Sequence, residues 1–144
     1  MSIINRAALV ALLCALAPTL AACSTDTKTI TVADGDEMGT FVQRWTIEGS
    51  TDDDRCERFG ADRMRVVLYD ESGDVQATEF ASCKSFELSV FLRAKAYKGS
   101  ATFVGSGGDV VSASLPIERF TIAVHEETSR SLDFTAAQMG AAAQ

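Results

Sequence analysis

The stretch DRMRVVLYDESGDVQATEF, residues 62–80, decides the fold class of this chain. Its first half alternates, so that Met64, Val66 and Leu68 fall on one face of an extended strand and more polar neighbours fall on the other. ESGD (71–74) is a cluster of turn-forming residues, and the sequence after it returns as a second strand. The stretch therefore predicts a β-hairpin with one buried face.

The same short alternating pattern recurs on both sides of this hairpin. Further strands are predicted at KTITV (28–32), TFVQRWTIE (40–48), SFELSVFL (85–92), AYKGSATFV (96–104), VVSASL (110–115), FTIAV (120–124) and SLDF (131–134). We expect the last two to pair as a hairpin across HEETSR, and one helical turn around Arg55–Phe59. Strands with one polar face and frequent turns indicate an all-β protein, a single antiparallel β-sandwich of about seven to eight strands.

Several of these segments resemble small secreted modules with a transthyretin-like or carboxypeptidase-regulatory-like sandwich. The resemblance is carried by a W-x-I strand at Trp45, a strand that ends in D-x-x-G, and a corner that matches at Leu92 and Tyr97, where Lys95 replaces a glycine. It covers most of residues 40–134 and implies a sandwich, without implying an activity. An immunoglobulin-like sandwich is the alternative, although the Cys-Trp-Cys order of true immunoglobulin domains is not met.

The N-terminal segment has the features of a signal peptide. One positive side chain, Arg6, precedes an apolar run from Ala7 to about Leu20. A membrane-spanning helix needs roughly 20 apolar residues, and Pro18 interrupts this shorter run near its end. We therefore predict a signal peptide over residues 1–22.

The end of this run, Leu20-Ala21-Ala22-Cys23, resembles the bacterial lipobox. The resemblance implies that Cys23 is lipidated and becomes the first residue of the exported protein. Two or more acyl chains hold a protein stably at a membrane, whereas one chain binds only reversibly. Ser24 in place of an aspartate favours the outer membrane over the inner membrane. The alternative is an ordinary secretory peptide in which Cys23 has no special role.

This interpretation divides the chain into four parts. We predict a signal peptide (1–22), a lipidated cysteine with a short polar tether (23–28), a β-sandwich domain (29–134) and a flexible tail (135–144).

Processing at Cys23 also simplifies the cysteine count. Cys14 leaves with the signal peptide and Cys23 carries lipid, so Cys56 and Cys83 remain in an oxidising compartment. A disulfide across these 27 residues would contribute about 3.5 kcal/mol in the chain-entropy model. The alternatives, a redox-active pair or a metal site, lack C-x-x-C spacing and nearby histidines.

The candidate polar residues are better explained by structural roles than by catalysis or metal binding. His125 is the only histidine, and a lone histidine does not make a zinc site. Acidic clusters occur at 34–37, 52–54 and 70–74; the first fails the EF-hand template, and a calcium site at Asp52, Asp53 and Asp54 is the remaining alternative to solvated turns. GSGG (105–108) matches no nucleophile or phosphate motif and is interpreted as a hairpin turn. The sequence thus predicts no catalytic residue, no metal site and no cofactor.

Charge narrows the class of partner. The formal net charge is -7 and the basic residues are scattered, which argues against nucleic-acid binding. The leading hypothesis is a non-enzymatic binding module of the cell envelope that contacts a protein, a peptide or a glycan. A structural or accessory subunit of an envelope complex is the alternative, and a cryptic hydrolase is a distant third. A binding module should expose an apolar or aromatic patch at a sandwich edge or loop end.

Overall fold

A computed structural model describes residues 37–140 and contains seven strands there. In chain order the elements are β1 Met38–Ile47, α1 Asp53–Arg58, β2 Arg63–Tyr69, β3 Val75–Ser82, a 3-10 turn Cys83–Ser85, β4 Glu87–Arg93, β5 Ala96–Val104, β6 Leu115–Thr121, β7 Glu127–Phe134 and α2 Ala136–Met139. The predicted helical turn near Arg55 is α1.

The strands form two sheets that pack as a sandwich. One sheet has three strands in the order β4-β1-β7, and the other has four in the order β3-β2-β5-β6. The predicted all-β sandwich is therefore confirmed. The partition differs from that of an immunoglobulin constant domain, in which the first, second, fourth and fifth strands share one sheet.

The core lies between the inner faces of the two sheets. Trp45 of β1 meets the ring of Phe103 of β5 edge-on at 6.4 Å between centroids, and Phe103 contacts Phe134 of β7 at 4.7 Å. All three side chains are almost fully buried. Burying one such ring contributes about 1.5–3 kcal/mol, so this aromatic row is a strong hydrophobic contact between the sheets.

The hairpin predicted from residues 62–80 is confirmed. β2 and β3 pair antiparallel, with Met64 opposite Ala81 and Leu68 opposite Ala77. Met64 and Leu68 are fully buried, as the alternation predicts. A register shift follows Leu68 and leaves Gln76 as the extra residue of a β-bulge. The pattern therefore fixed both the strands and the face that each buries.

One strand pair differs from the predicted antiparallel arrangement. β7 runs parallel to β1 over eight residues, from the pair Thr40 and Glu127 to the pair Ile47 and Phe134. All other pairs between the described strands are antiparallel. A parallel pair needs a long crossover, and here the whole of the chain between β1 and β7 supplies it.

The predicted hairpin of residues 120–124 with 131–134 is wrong. β6 pairs with β5 in the four-stranded sheet, whereas β7 pairs with β1 in the three-stranded sheet. The connection between them crosses the edge of the sandwich, and its backbone bonds to other elements: Ile122 donates to the carbonyl of Lys95, and His125 to that of Met38. A short polar link between two strands does not by itself distinguish a hairpin from a crossing.

The predicted strand VVSASL (110–115) is also wrong for most of its length. Val110 makes one isolated bridge to Val104, and regular pairing starts only at Leu115. The hydroxyl of Ser112 instead accepts the backbone N–H of Phe103. The segment thus covers the end of β5 through this hydroxyl and through a backbone bond from the N–H of Val111 to the carbonyl of Phe103. The predicted strand at residues 28–32 lies outside the described residues.

The prediction of a flexible tail is wrong for residues 135–140, which form an ordered turn. Thr135 and Gln138 form a reciprocal capping box at the start of α2, and Met139 is 2% exposed in the core. The N–H of Ala113 also donates to the carbonyl of Gln138. A single buried methionine and a cap fix this turn, and an alternation pattern does not detect either. Residues 141–144 lie outside the described residues.

Candidate binding surface

Cys56 and Cys83 form the predicted disulfide, which joins α1 to the 3-10 turn. Both cysteines are fully buried, and the indole N–H of Trp45 donates to the carbonyl of Cys83 at 3.1 Å. Redox-active cysteines are exposed and close to a positive charge. The burial of this pair therefore indicates a structural crosslink.

An ion pair lies directly beside the crosslink. Glu57 follows Cys56 and Lys84 follows Cys83, and Lys84 Nζ lies 2.6 Å from Glu57 Oε1. The hydrogen bond and charge of Lys84 lower the pKa of Glu57, and the same contacts raise the pKa of Lys84. Both groups are exposed, so the pair reinforces the corner and does not form a reactive site.

The acidic clusters do not converge on a metal site. The carboxylates of 52–54 lie at the start of α1, where Asp53 and Asp54 face the positive end of the helix. In the first cluster, Asp34 and Asp36 lie outside the described residues. Gly39, which follows this cluster in the sequence, belongs to β1. Across residues 37–140 no group of three or more His, Cys, Asp or Glu side chains could hold a metal ion.

His125 and the GSGG segment both occupy turns. His125 is exposed with a φ of 58°, and its backbone N–H bonds the carbonyl of Met38. In the GSGG turn, Gly105 donates to the carbonyl of Asp109, and Gly108 has a φ of 86°. Neither feature is placed beside a candidate catalytic group.

The end of the sandwich at the β2–β3 turn has the most elaborate polar network. Asp70 accepts the backbone N–H groups of Ser72 and Asp74 and the side chains of Gln76 and Lys95. Burial raises the pKa of Asp70, but these donors outweigh it and the net pKa lies below its usual value. Because Lys95 lies between β4 and β5, its contact with Asp70 joins the β2–β3 turn to the β4–β5 corner.

Tyr97 completes this corner. Its hydroxyl donates to the carbonyl of Arg93 at 3.0 Å, and burial raises the pKa of the phenol. A tyrosine that bonds its own upstream backbone where the chain changes sheets is the tyrosine corner of β-sandwiches. The shallow clefts beside it, about 190 and 200 Å³, are lined by charged side chains that already have partners, such as Arg119 with Glu71.

A groove of about 380 Å³ lies near Phe86, whose φ of 52° is unusual for a bulky residue. The local backbone explains that conformation. The N–H of Phe86 bonds the carbonyl of Cys83 and its carbonyl accepts the N–H of Trp45, so the disulfide turn holds Phe86 in place. The strain thus belongs to the crosslinked corner.

The most exposed cluster of apolar side chains on the four-stranded sheet lies on its outer face. We define this outer face by the side chains that alternate with the buried ones: Arg63, Arg65, Val67 and Tyr69 of β2, Val75, Thr78, Phe80 and Ser82 of β3, and Lys98 and Ser100 of β5. Phe80 is 47% exposed and Val75 is 57% exposed, while Val67 and Tyr69 beside them are half-buried. An aromatic and aliphatic stripe therefore runs along β2 and β3 to the sheet edge.

The same outer face is positively charged. The guanidinium of Arg63 lies 5.2 Å from the ring centroid of Phe80, and Arg65 is paired directly opposite Phe80 on β2. Arg63 also contacts Asp62 at 3.3 Å. Within residues 37–140 the buried Nε of Arg65 has no hydrogen-bond partner. A guanidinium next to an exposed ring can bind an oxygen acceptor through its terminal nitrogens.

Among the strands within residues 37–140, β3 pairs only with β2 and so forms one edge of the four-stranded sheet. Six of its eight residues are exposed. It contains no proline, glycine or lysine. The opposite edge strand, β6, carries Pro116, and both edge strands have a register shift in their pairing. Of these two edges, β3 is thus the better template for an added strand.

The outer face of the three-stranded sheet differs in its charges. Phe91 is 75% exposed there, two residues before Arg93 on β4, and Arg44 of β1 is paired with Glu87 at 2.7 Å. This face therefore provides a comparison surface with an exposed phenylalanine and an arginine paired with a carboxylate.

Sequence reasoning did not single out the outer face of the four-stranded sheet. The alternation in residues 62–80 places Arg65, Val67 and Tyr69 on the face opposite the core. Alternation alone does not distinguish a contact surface from an ordinary solvent-exposed face. The available signal was that this solvent side contains aromatic and branched residues together with arginines and no carboxylate between Arg63 and Tyr69. Edge position, however, follows only from the sheet order.

No protein-family model matches this chain, and no curated protein matches it either. In the described part of the chain, none of the helices has the length and apolarity needed to cross a membrane.

Proposed function

We propose that this chain is a lipid-anchored binding module of the bacterial cell envelope, which contacts its partner through the outer face of the four-stranded sheet. The observation that carries the proposal is the exposed apolar stripe of Phe80 and Val75 at a free sheet edge. Exposed patches of this kind, framed by polar side chains, mark interaction sites on soluble domains.

The anchor part of the proposal rests on the lipobox-like residues Leu20 to Cys23. Lipidation of Cys23 would hold the sandwich at a membrane surface, and Ser24 favours the outer membrane. The module itself we propose to be transthyretin-like, since the observed strand partition departs from the immunoglobulin one. We propose no catalytic role, no cofactor and no nucleic-acid partner.

A structural or accessory subunit of an envelope complex is the second candidate. The observation that favours it is Phe91, which is 75% exposed on the other sheet. Two exposed faces on opposite sides would let one chain bridge two neighbours, whereas a simple binding module needs only the outer face of the four-stranded sheet.

Site-specific crosslinking in intact cells separates these two functions. A photoreactive amino acid is placed at position 80 or, as the matched control, at position 91. The binding module predicts one discrete adduct from position 80 and none from position 91, and a bridging subunit predicts adducts from both. No adduct from position 80 would contradict the proposed contact surface.

The anchor is tested separately by Cys23→Ser. The expected result is loss of metabolic palmitate labelling and release from the membrane fraction, because the acyl chains are the proposed attachment. A Cys14→Ser variant is the control and should fractionate like the unaltered chain. Continued membrane association of Cys23→Ser would contradict lipid anchoring.

A further inference from the structure

We infer that the outer face of the four-stranded sheet takes an acidic polypeptide segment, which adds to β3 as an extra strand and places carboxylates against Arg63 and Arg65. This inference rests on the proposed function, because it names the partner chemistry of the same surface. It goes further in committing to one class of partner and to one edge of one sheet.

Charge provides the first argument. The chain carries a formal net charge of -7. Yet the outward positions of β2, β3 and β5 hold Arg63, Arg65 and Lys98 and no carboxylate. The acidic residues beside this face are Asp62, which precedes β2 and contacts Arg63 at 3.3 Å, and Glu79, which lies on the inner side of β3. A local positive face on an acidic domain attracts acidic segments, whereas the negative surface elsewhere on the domain repels them.

The arginines provide the second argument. A guanidinium matches a carboxylate through two parallel hydrogen bonds, which a lysine does not reproduce. Arg65 has a buried Nε without a partner in residues 37–140. It also lies opposite the exposed ring of Phe80. The Nε is buried, so a partner carboxylate would meet Arg65 at the terminal nitrogens of its guanidinium, beside the edge of the Phe80 ring.

The free backbone of β3 favours a polypeptide over a glycan. An edge strand offers unpaired N–H and C=O groups at the spacing of another strand, and only a peptide backbone repeats that spacing. β3 offers eight residues, Val75–Ser82, without a proline to interrupt the added ladder. Side chains of the added strand would then alternate between the outer face and the inner side of the edge.

Glu79 determines the charge that an added strand would meet on the inner side of the edge. It pairs opposite the buried Val66, so it lies on the inner side of the edge strand, yet it is exposed. An added strand thus meets arginines on one side and a carboxylate on the other. An added strand with acidic residues at every second position, all on the side of the arginines, fits this arrangement. Two copies joined through β3 would instead bring like charges together on both sides, which argues against self-association.

The experiment uses fluorescent eight-residue peptides and the secreted Cys23→Ser chain. The probe alternates glutamate and threonine, and the matched control replaces each glutamate with lysine. Fluorescence anisotropy should show binding of the glutamate peptide, at least tenfold weaker binding of the lysine peptide, and a fall in affinity as salt is raised. N-methylation of alternate backbone nitrogens should also abolish binding, because it removes ladder donors.

Variants place the binding on the proposed surface. Arg65→Gln and Phe80→Ser should each weaken the glutamate peptide about tenfold or more, and Arg65→Lys should not restore full affinity. Arg44→Gln and Phe91→Ser are the matched controls on the other sheet and should leave the affinity unchanged. Circular dichroism confirms that every variant is folded, so that loss of binding is not loss of structure.

Several outcomes overturn the inference. These are equal affinity for the two peptides, no effect of Arg65→Gln, dimerisation through β3 in sedimentation, or tight binding of heparin without binding of the peptide, which would indicate an anionic glycan. If the peptides fail while position 80 still crosslinks in cells, the partner chemistry is wrong and the contact surface stands. If position 80 does not crosslink, the proposed function itself fails.

Discussion

The indole nitrogen of Trp45 donates a hydrogen bond to the carbonyl oxygen of Cys83 at 3.1 Å, which joins the central strand of one sheet to the disulfide corner. Trp45 is 1% exposed and Cys83 is fully buried. The aromatic core, the crosslink and the start of β4 are therefore one connected unit.

Trp45→Phe should lower the free energy of unfolding by about 1–3 kcal/mol, because it leaves the buried carbonyl of Cys83 without its donor and opens a small void. Phe91→Leu, at an exposed site, is the control and should change it by less than about 0.5 kcal/mol. Denaturant unfolding measures both. An unchanged midpoint for Trp45→Phe would show that this hydrogen bond does not stabilise the corner.

Reduction of the disulfide should destabilise the protein strongly. The bond closes a loop with a sequence separation of 27 residues. Its loss should cost about 3.5 kcal/mol in the chain-entropy model. The double variant Cys56→Ala/Cys83→Ala should unfold at the same denaturant concentration as the reduced chain. Thiol labelling of the denatured, unreduced exported protein should find neither cysteine free, and labelling of either one would contradict the crosslink.

Gly39→Ala should destabilise the fold by about 1–3 kcal/mol through overpacking. A Cβ at Gly39 would lie 2.2 Å from the carbonyl oxygen of Ala123 and 2.9 Å from that of Glu126, both of them backbone atoms. The control is Gly140→Ala, where the nearest atom is 3.8 Å away. Equal thermal midpoints for the two variants would show that the turn after β6 does not pack closely on β1.

The pair of Glu57 and Lys84 should make stability depend on acid pH. The folded pKa of Glu57 lies below its ordinary value of 4.5, so its stabilising contribution is present above that pH and is lost as the pH falls through the folded pKa. The pKa of Lys84 is raised, so its contribution is lost only at strongly alkaline pH. NMR titration of the Glu57 carboxyl should give a midpoint below 4.5, and Lys84→Gln should raise it. A midpoint that Lys84→Gln leaves unmoved would contradict the ion pair.

The sandwich and its first hairpin were predictable because their signal is local. In residues 62–80 the alternation and the turn residues name the strands, the buried face and the link. The pairing of Cys56 with Cys83 was predictable because the lipobox resemblance implies removal of Cys14 and lipidation of Cys23, which leaves these two cysteines. These inferences need only the order of residues along the chain.

Features that depend on contacts between distant segments were not predictable. The crossing between β6 and β7 has the composition of a hairpin turn, and only the carbonyls of Lys95 and Met38 show that it bonds elsewhere. The fixed turn at Thr135 depends on one buried methionine. The candidate surface was missed for the same reason, because the exposure of Phe80 follows from the edge position of β3.

Competition of the in-cell crosslink most directly tests the claim that the outer face of the four-stranded sheet is the contact surface. Purified Cys23→Ser chain is added to permeabilised cells that carry the photoreactive residue at position 80. We expect this chain and its Phe91→Ser variant to suppress the adduct equally, and the Phe80→Ser variant to be at least tenfold less effective. Equal suppression by the Phe80→Ser variant would contradict the account.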